Sequence, residues 1–129
     1  MPTTAISHIS ITVSDLGRSE RWYSEVLGWS KQAVGRSEST TFAYGLLPGD
    51  LAIVLRQHDV PEPSAFDERR PGLDHLSFAV AELSDLASVE AILRSRGDRL
   101  TPVVVMPPNG HQLTFRDPDG IALELVHME

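Results

Sequence analysis

The feature that most constrains the fold of this chain is an internal repeat. The segment "HISITVSDL", which begins at His8, returns as "HLSFAVAEL" from His75, 67 residues later. Histidine, serine, valine and leucine recur at matching positions, and Asp15 is matched by Glu82. A match of this length and order indicates two homologous modules, so the same structural plan is expected twice along the chain.

Each module begins with a predicted strand. Residues 6–13 alternate between apolar and polar side chains, which places His8 on the face opposite Ile9, and residues 74–80 repeat the pattern. Apolar runs separated by turn residues such as "LPGD" and "DPDG" predict the later strands. These are expected at 31–36, 40–46 and 51–56 in module one, and at 101–106, 111–116 and 121–127 in module two.

A helix is predicted between the first and second strands of each module. Ser14-Asp15 and Ser84-Asp85 offer N-cap side chains, apolar residues follow at helical spacing, and Gly28 and Gly97 are typical C-terminal stops. The predicted order is therefore βαβββ twice, which is an α+β fold class.

The length and composition favour a single domain. The chain has 129 residues, of which 41% are hydrophobic, enough for one packed core. We predict one domain over residues 1–129, with module one at about 5–57 and module two at about 73–128. The segment between them, at about 58–72, is rich in proline and charge and is expected to be a linker.

Charge and composition exclude several classes of function. The formal net charge of −7 disfavours nucleic acid and anionic membranes as partners, because both require clustered cations. The chain has no cysteine, hence no thiolate ligand or nucleophile. No apolar stretch approaches the roughly 18 residues of a membrane span. The N-terminal residues resemble no signal sequence, so a cytoplasmic protein is predicted.

Three residues have the chemistry of a metal site. His8 and His75 occupy matching repeat positions, and Glu124 interrupts an apolar strand where the repeat places Val54 in module one. A lone carboxylate among apolar residues is costly unless it finds a cation. Two imidazoles and one carboxylate form a facial ligand set for Fe(II), Mn(II), Zn(II) or Ni(II), with open positions for substrate. The competing interpretation is that both histidines are hydrogen-bonded strand residues inherited by duplication.

These residues also carry a resemblance to a known family. The motifs "HISITVSDLGRSERWYSEVLGW", "GLDHLSFAV" and "FRDPDGIALELV" resemble the vicinal oxygen chelate superfamily, which includes glyoxalase I, extradiol dioxygenases, fosfomycin-resistance transferases, epimerases and bleomycin-binding proteins. The resemblance implies paired βαβββ modules that form a curved mixed sheet around a metal-containing cavity. It also implies that a divalent metal chelates two neighbouring oxygens of a small-molecule substrate.

The resemblance places the metal ligands on His8, His75 and Glu124. Glyoxalase I and the epimerases use a fourth ligand where this chain has Val54, which disfavours their isomerase chemistry. The three-ligand pattern is shared with the dioxygenases and the fosfomycin transferases. A phosphonate pocket needs several cations. Between residues 100 and 129 the only Lys or Arg is Arg116, although basic residues of the first module could approach, so no dense basic pocket is expected and dioxygenase-type or related lyase or transfer chemistry is favoured.

An acid/base residue is expected beside such a site. The candidates are His111, which leads a strand of module two, Tyr44 on a strand of module one, and His58 in the expected linker. Arg116 could bind a substrate carboxylate, but an ion pair with Asp117 or Asp119 is the simpler expectation.

The prediction is therefore a metal-dependent enzyme, expected to be a homodimer. The site could form within one chain or across the dimer. The alternative is a protein of the bleomycin-resistance type, which binds a drug or metabolite without a metal and without turnover.

Overall fold

The computed structural model describes all 129 residues and divides the chain into two compact units, Met1–Pro63 and Ser64–Glu129. The first unit contains β1 (Ile9–Thr12), α1 (Leu16–Leu27), β2 (Ser30–Ser37), β3 (Thr40–Leu46) and β4 (Ala52–His58). The second contains β5 (Leu76–Ala79), α2 (Leu83–Arg96), β6 (Leu100–Met106), β7 (Gly110–Arg116) and β8 (Ala122–Met128). The repeated βαβββ order is thus confirmed. That the two modules form one domain stays a prediction.

Each unit is built on a four-stranded mixed sheet. The strand orders are β1-β4-β3-β2 and β5-β8-β7-β6, so the two units have the same topology. In each sheet the first strand runs parallel to the fourth, and the other neighbours are antiparallel. The predicted α+β class, with two βαβββ modules, is confirmed.

The helices cover one face of each sheet. In α1, Trp22, Tyr23 and Val26 are buried, and the rings of Trp22 and Tyr23 meet edge to face at 4.8 Å between centroids. In α2, Leu86 and Leu93 are completely buried. Apolar positions three, four and seven residues apart therefore pack on the sheets as the helical spacing predicts. The opposite, open face of each sheet is not covered by a helix and carries the remaining strand side chains, both polar and apolar.

The ends of α1 follow the predicted chemistry. The Asp15 carboxylate accepts a hydrogen bond from the Arg18 backbone N–H at 3.0 Å, and Gly28 ends the helix with a φ of +70°. The N-cap of α2 differs from the prediction at Ser84-Asp85, because the helix begins earlier, after Glu82. Asp85 lies in the first turn, where its carboxylate accepts from the Glu82 N–H at 3.1 Å, so it caps the helix from inside.

Two further boundaries differ from the predictions. The first strand of each module is shorter than expected, so that His8 and His75 lie directly before β1 and β5. His58 is the last residue of β4, opposite Thr40 of β3, rather than part of the linker. No helix in the chain is long and apolar enough to cross a membrane.

Candidate metal centre

His75 and Glu124 converge on the open face of the second sheet. The His75 Nε2 atom lies 3.7 Å from the Glu124 Oε1 atom. Their strands are parallel neighbours, and Ser77 of β5 lies opposite Glu124 of β8. Side chains alternate along a strand, so the helix-facing positions of β8 are Leu123 and Leu125, which are buried, and Glu124 faces the other way. The alternation of β8 therefore exposes a carboxylate to the imidazole at the start of β5.

The preceding residue, Asp74, orients the His75 ring. The His75 Nδ1 atom lies 2.7 Å from the Asp74 Oδ1 atom, which leaves Nε2 directed to Glu124. Carboxylate–histidine pairs of this kind fix the ring orientation of metal-binding histidines. The hydrogen bond to Asp74, and then the charges of Glu124 and Asp74, raise the pKa of His75 above its usual value despite partial burial.

The register confirms that Val54 is the counterpart of Glu124. Ser10 of β1 lies opposite Val54 of β4, just as Ser77 lies opposite Glu124. Val54 is almost completely buried, whereas the Glu124 side chain keeps 16% of its exposure. The two modules therefore share a backbone plan and differ in chemistry at this position.

His8 lies at the start of the first sheet and is exposed. Its Nδ1 atom lies 3.1 Å from the Ser7 hydroxyl oxygen, so Ser7 takes the place that Asp74 has beside His75. The side chains of His, Cys, Asp and Glu form no group of three or more that could hold a metal ion. Two of the three predicted ligands thus come together in the second unit, and the role of His8 stays a prediction.

Two of the three acid/base candidates, Tyr44 and His111, lie on different faces of their sheets. Tyr44 of β3 is half-buried and lies opposite Val54, hence on the open face of the first sheet. His111 of β7 lies opposite His127, whereas Thr114 lies opposite Glu124. Thr114 lies three positions after His111, and side chains alternate along a strand, so His111 points to the helix-covered side, away from Glu124. Its Nδ1 atom is buried without a hydrogen-bond partner.

Arg116 forms an ion pair with a residue that the sequence analysis did not consider. Its Nη2 and Nη1 atoms lie 2.9 and 3.2 Å from the two carboxylate oxygens of Glu68, and Nη1 also donates to the Gly120 carbonyl oxygen at 3.0 Å. Of the two expected partners, Asp117 and Asp119, the first is buried and accepts hydrogen bonds from the backbone N–H groups of Asp119 and Ile121 at 2.9 Å. Glu68 comes from the segment expected to be a linker, where no periodicity indicates its contacts.

The Glu68–Arg116 pair predicts an acid-sensitive contribution to stability. Arg116 lowers the pKa of Glu68 to about 2 from 4.5. A carboxyl group whose pKa is lower in the folded state stabilises the fold above its unfolded pKa, and this contribution is lost as the pH falls from about 4.5 to about 2. We therefore expect Glu68→Gln to reduce the loss of thermal stability over this interval, as measured by the melting temperature at successive pH values.

The same interval contains the titration of Asp67, whose pKa is lowered to about 2 by Arg69. That contribution remains in the variant and provides an internal reference. Because the Glu68 side chain is 40% exposed, the difference should shrink in high salt. If the melting temperatures of the wild type and of Glu68→Gln fell by the same amount down to pH 2, the prediction would be contradicted.

The open face of the second sheet borders a cavity of about 310 Å³. Its lining includes His75, Glu124, Asp74 and the Glu68–Arg116 pair, together with Arg99. Sequence reasoning missed Glu68, Asp74 and Arg99. Of these residues, only Asp74 could have been recognised from the sequence, because a carboxylate directly before a candidate ligand histidine can orient the histidine ring.

Comparison with known proteins identifies the family. The family model "Glyoxalase/Bleomycin resistance protein/Dioxygenase superfamily" matches residues 5–125, and the chain belongs to this superfamily. The Escherichia coli (strain K12) protein YaeR is 32% identical over 127 residues, which cover 93% of each chain. The resemblance inferred from the motifs is therefore confirmed.

Solved structures share the fold. The crystal structure of a glyoxylase/bleomycin resistance protein/dioxygenase domain from Frankia sp. EAN1pec is 48% identical, covers 99% of this chain and 94% of its own, and has a TM-score of 0.95. The fosfomycin resistance protein FosX from Listeria monocytogenes, in complex with Mn(II) and sulfate, is 15% identical. It covers 99% of this chain and 95% of its own, with a TM-score of 0.74, a similarity of fold.

The donor atoms of the second unit fit a divalent metal. An imidazole nitrogen and a carboxylate oxygen lie 3.7 Å apart, both reach the cavity, and the second ring nitrogen is already held by a carboxylate. Nitrogen and oxygen donors with such an outer partner suit the divalent ions of the first transition series.

Proposed function

We propose that the chain is a metal-dependent enzyme that acts on a small molecule with two neighbouring oxygen atoms. The observation that carries this proposal is the convergence of His75 Nε2 and Glu124 Oε1 at the cavity of the second sheet, with Asp74 behind the histidine. His8 is proposed as the third ligand because it occupies the repeat position of His75. Either the same chain or a second copy in a homodimer supplies it.

The chemistry proposed is dioxygenase-type or a related lyase or transfer reaction. A divalent ion in such a site supplies Lewis acidity toward two neighbouring substrate oxygens. Fe(II), Mn(II), Zn(II) and Ni(II) suit this ligand set, and the similarly folded FosX was crystallised with Mn(II). Val54 argues against four-ligand isomerase chemistry, because its position holds no donor atom.

In this proposal the residues of the chain bind and orient. Asp74 holds the His75 ring so that Nε2 faces the cavity, and Glu124 stays exposed enough to ligate. Tyr44 is retained as a proposed acid/base residue of the first unit, since it lies on an open sheet face. His111 is not used, because β7 directs it away from Glu124.

The metal content of anaerobically purified protein tests the proposal. We expect about one iron, manganese, zinc or nickel ion per chain in the wild type and a loss of more than 90% in Glu124→Val, by elemental analysis. Valine is the residue that the first module carries at this position, so the variant should keep the fold. Glu90→Gln, on the surface of α2, is the control and should retain the metal.

Wild-type protein that binds no divalent ion, even with excess Fe(II), Mn(II), Zn(II) or Ni(II), would overturn the proposal. The alternative, a metal-independent binding protein, would then be favoured.

A further inference from the structure

Two arginines lie side by side at the cavity of the second sheet. The Arg116 backbone N–H donates to the Arg99 carbonyl oxygen at 3.2 Å. The pairing of Leu100 with Phe115 continues to Arg99 and Arg116, which makes them directly opposite neighbours on the same sheet face. Like charges in directly opposite positions are destabilising. An arrangement of this kind is stabilised when an anion lies between or beside the two guanidinium groups.

Arg99 and Arg116 lie next to Glu124, a proposed metal ligand. Arg116 pairs with Ala122 of β8, whereas Thr114, two residues away, pairs with Glu124. Two residues along a strand correspond to roughly 7 Å. A small molecule held near Glu124 would therefore present its far end to the arginines.

An anion of the chain itself already binds Arg116. The carboxylate of Glu68 makes two hydrogen bonds to its guanidinium group, in the geometry by which arginine recognises carboxylates. The Glu68 side chain is 40% exposed and comes from the segment before β5, outside the sheet. Arg99 is exposed and lines the same cavity.

We propose that Arg99 and Arg116 form an oxyanion subsite, which Glu68 occupies in the free chain and which an anionic group of the substrate takes over on binding. This inference rests on the proposed function for the role of the cavity, and it adds that the substrate carries a carboxylate or phosphoryl group beside its two neighbouring oxygens. Glu68 competes with that group as an intramolecular ligand, so it weakens the binding of external anions.

Titration of metal-free protein with inorganic phosphate, and separately with malonate, tests the subsite by calorimetry at low ionic strength. We expect Arg99→Gln to weaken binding of the preferred anion at least fivefold. Glu68→Gln should strengthen it about fivefold, because the variant removes a partly exposed carboxylate that competes for Arg116. Tighter binding of phosphate assigns a phosphoryl group to the subsite, and tighter binding of malonate assigns a carboxylate.

The chain offers matched controls on α2. Arg94 and Glu90 form an ion pair with a distance of 3.2 Å, so Arg94→Gln and Glu90→Gln make the same charge changes away from the cavity. Both should leave the affinity within twofold of the wild type. In addition, the gain from Glu68→Gln should disappear in the double variant with Arg116→Gln, since only direct competition for Arg116 couples the two sites.

Three results would overturn the subsite. The first is anion affinity that Arg99→Gln leaves unchanged, and the second is no measurable binding of either anion in both the wild type and Glu68→Gln. The third is an equal gain from Glu68→Gln and Glu90→Gln, which would indicate an effect of net charge alone. Since the protein is free of metal, these results are independent of the metal analysis, and either proposal can fail without the other.

Discussion

The His75→Ala chain is expected to bind Mn(II) more than 100-fold more weakly than the wild-type chain. The imidazole Nε2 atom of His75 lies 3.7 Å from Glu124, and its loss would remove the nitrogen ligand of the proposed pair. Removal of an outer partner of a metal ligand already costs 10- to 100-fold in affinity, so removal of the ligand itself should cost more. Isothermal titration of the metal-free protein measures the effect.

A graded control separates ligation from folding. Asp74→Asn keeps an oxygen that can accept from His75 Nδ1 but removes the charge, so we expect a loss of 10- to 100-fold. Ser7 is the corresponding neighbour of His8, and its position shows that a polar uncharged residue is compatible with the fold. Equal Mn(II) affinity in the wild type and His75→Ala, with unchanged circular dichroism, would remove His75 from the site.

The Gly45→Ala substitution is expected to destabilise the fold by about 3 kcal/mol or more. A Cβ atom at Gly45 would lie 2.5 Å from the Cζ2 and Nε1 atoms of Trp29. Trp29 cannot move away easily, because it is 2% exposed and its Nε1 donates to the Ile53 carbonyl oxygen at 3.0 Å. Overpacking of a buried site costs typically about 1–3 kcal/mol, and a fixed indole places this case at the upper end. Urea unfolding gives the free energy.

Gly17→Ala is the matched control for this substitution. Gly17 lies in the first turn of α1, and a Cβ atom there would have its nearest neighbour at 3.5 Å, the end of the flexible Arg21 side chain. Alanine is favoured over glycine in helices by about 1 kcal/mol, so this variant should be as stable as the wild type or more stable. If both variants unfolded at the same urea concentration as the wild type, the close packing of Trp29 on β3 would be disproved.

Trp29 packs in the core of the first unit directly after the end of α1. The aromatic side chain follows Gly28 and contacts the backbone of β3 at Gly45, in the core of the first unit. It therefore belongs to the helix–sheet interface rather than to the open face. This explains why the next-to-last position of β3 is a glycine.

The sequence by itself determined the fold plan and one half of the candidate site. Alternation with a period of two, helical spacing and stop residues are local properties, and the 67-residue repeat applies them twice. The comparison of Val54 with Glu124 also needed no structure, because the repeat aligns the last strands of the modules. The strand register agrees with the repeat and with this comparison, since Ser10 lies opposite Val54 and Ser77 lies opposite Glu124.

The tertiary structure alone decided which side chains share a face and which share a cavity. His111 and Glu124 belong to one sheet, yet the register of β7 against β8 directs them to opposite sides. Arg99 and Arg116 become neighbours only when β6 pairs with β7, and Glu68 reaches Arg116 from a segment without any periodicity. Periodic patterns fix the local conformation of each element, whereas strand register and the path of irregular segments depend on contacts between residues far apart in the chain.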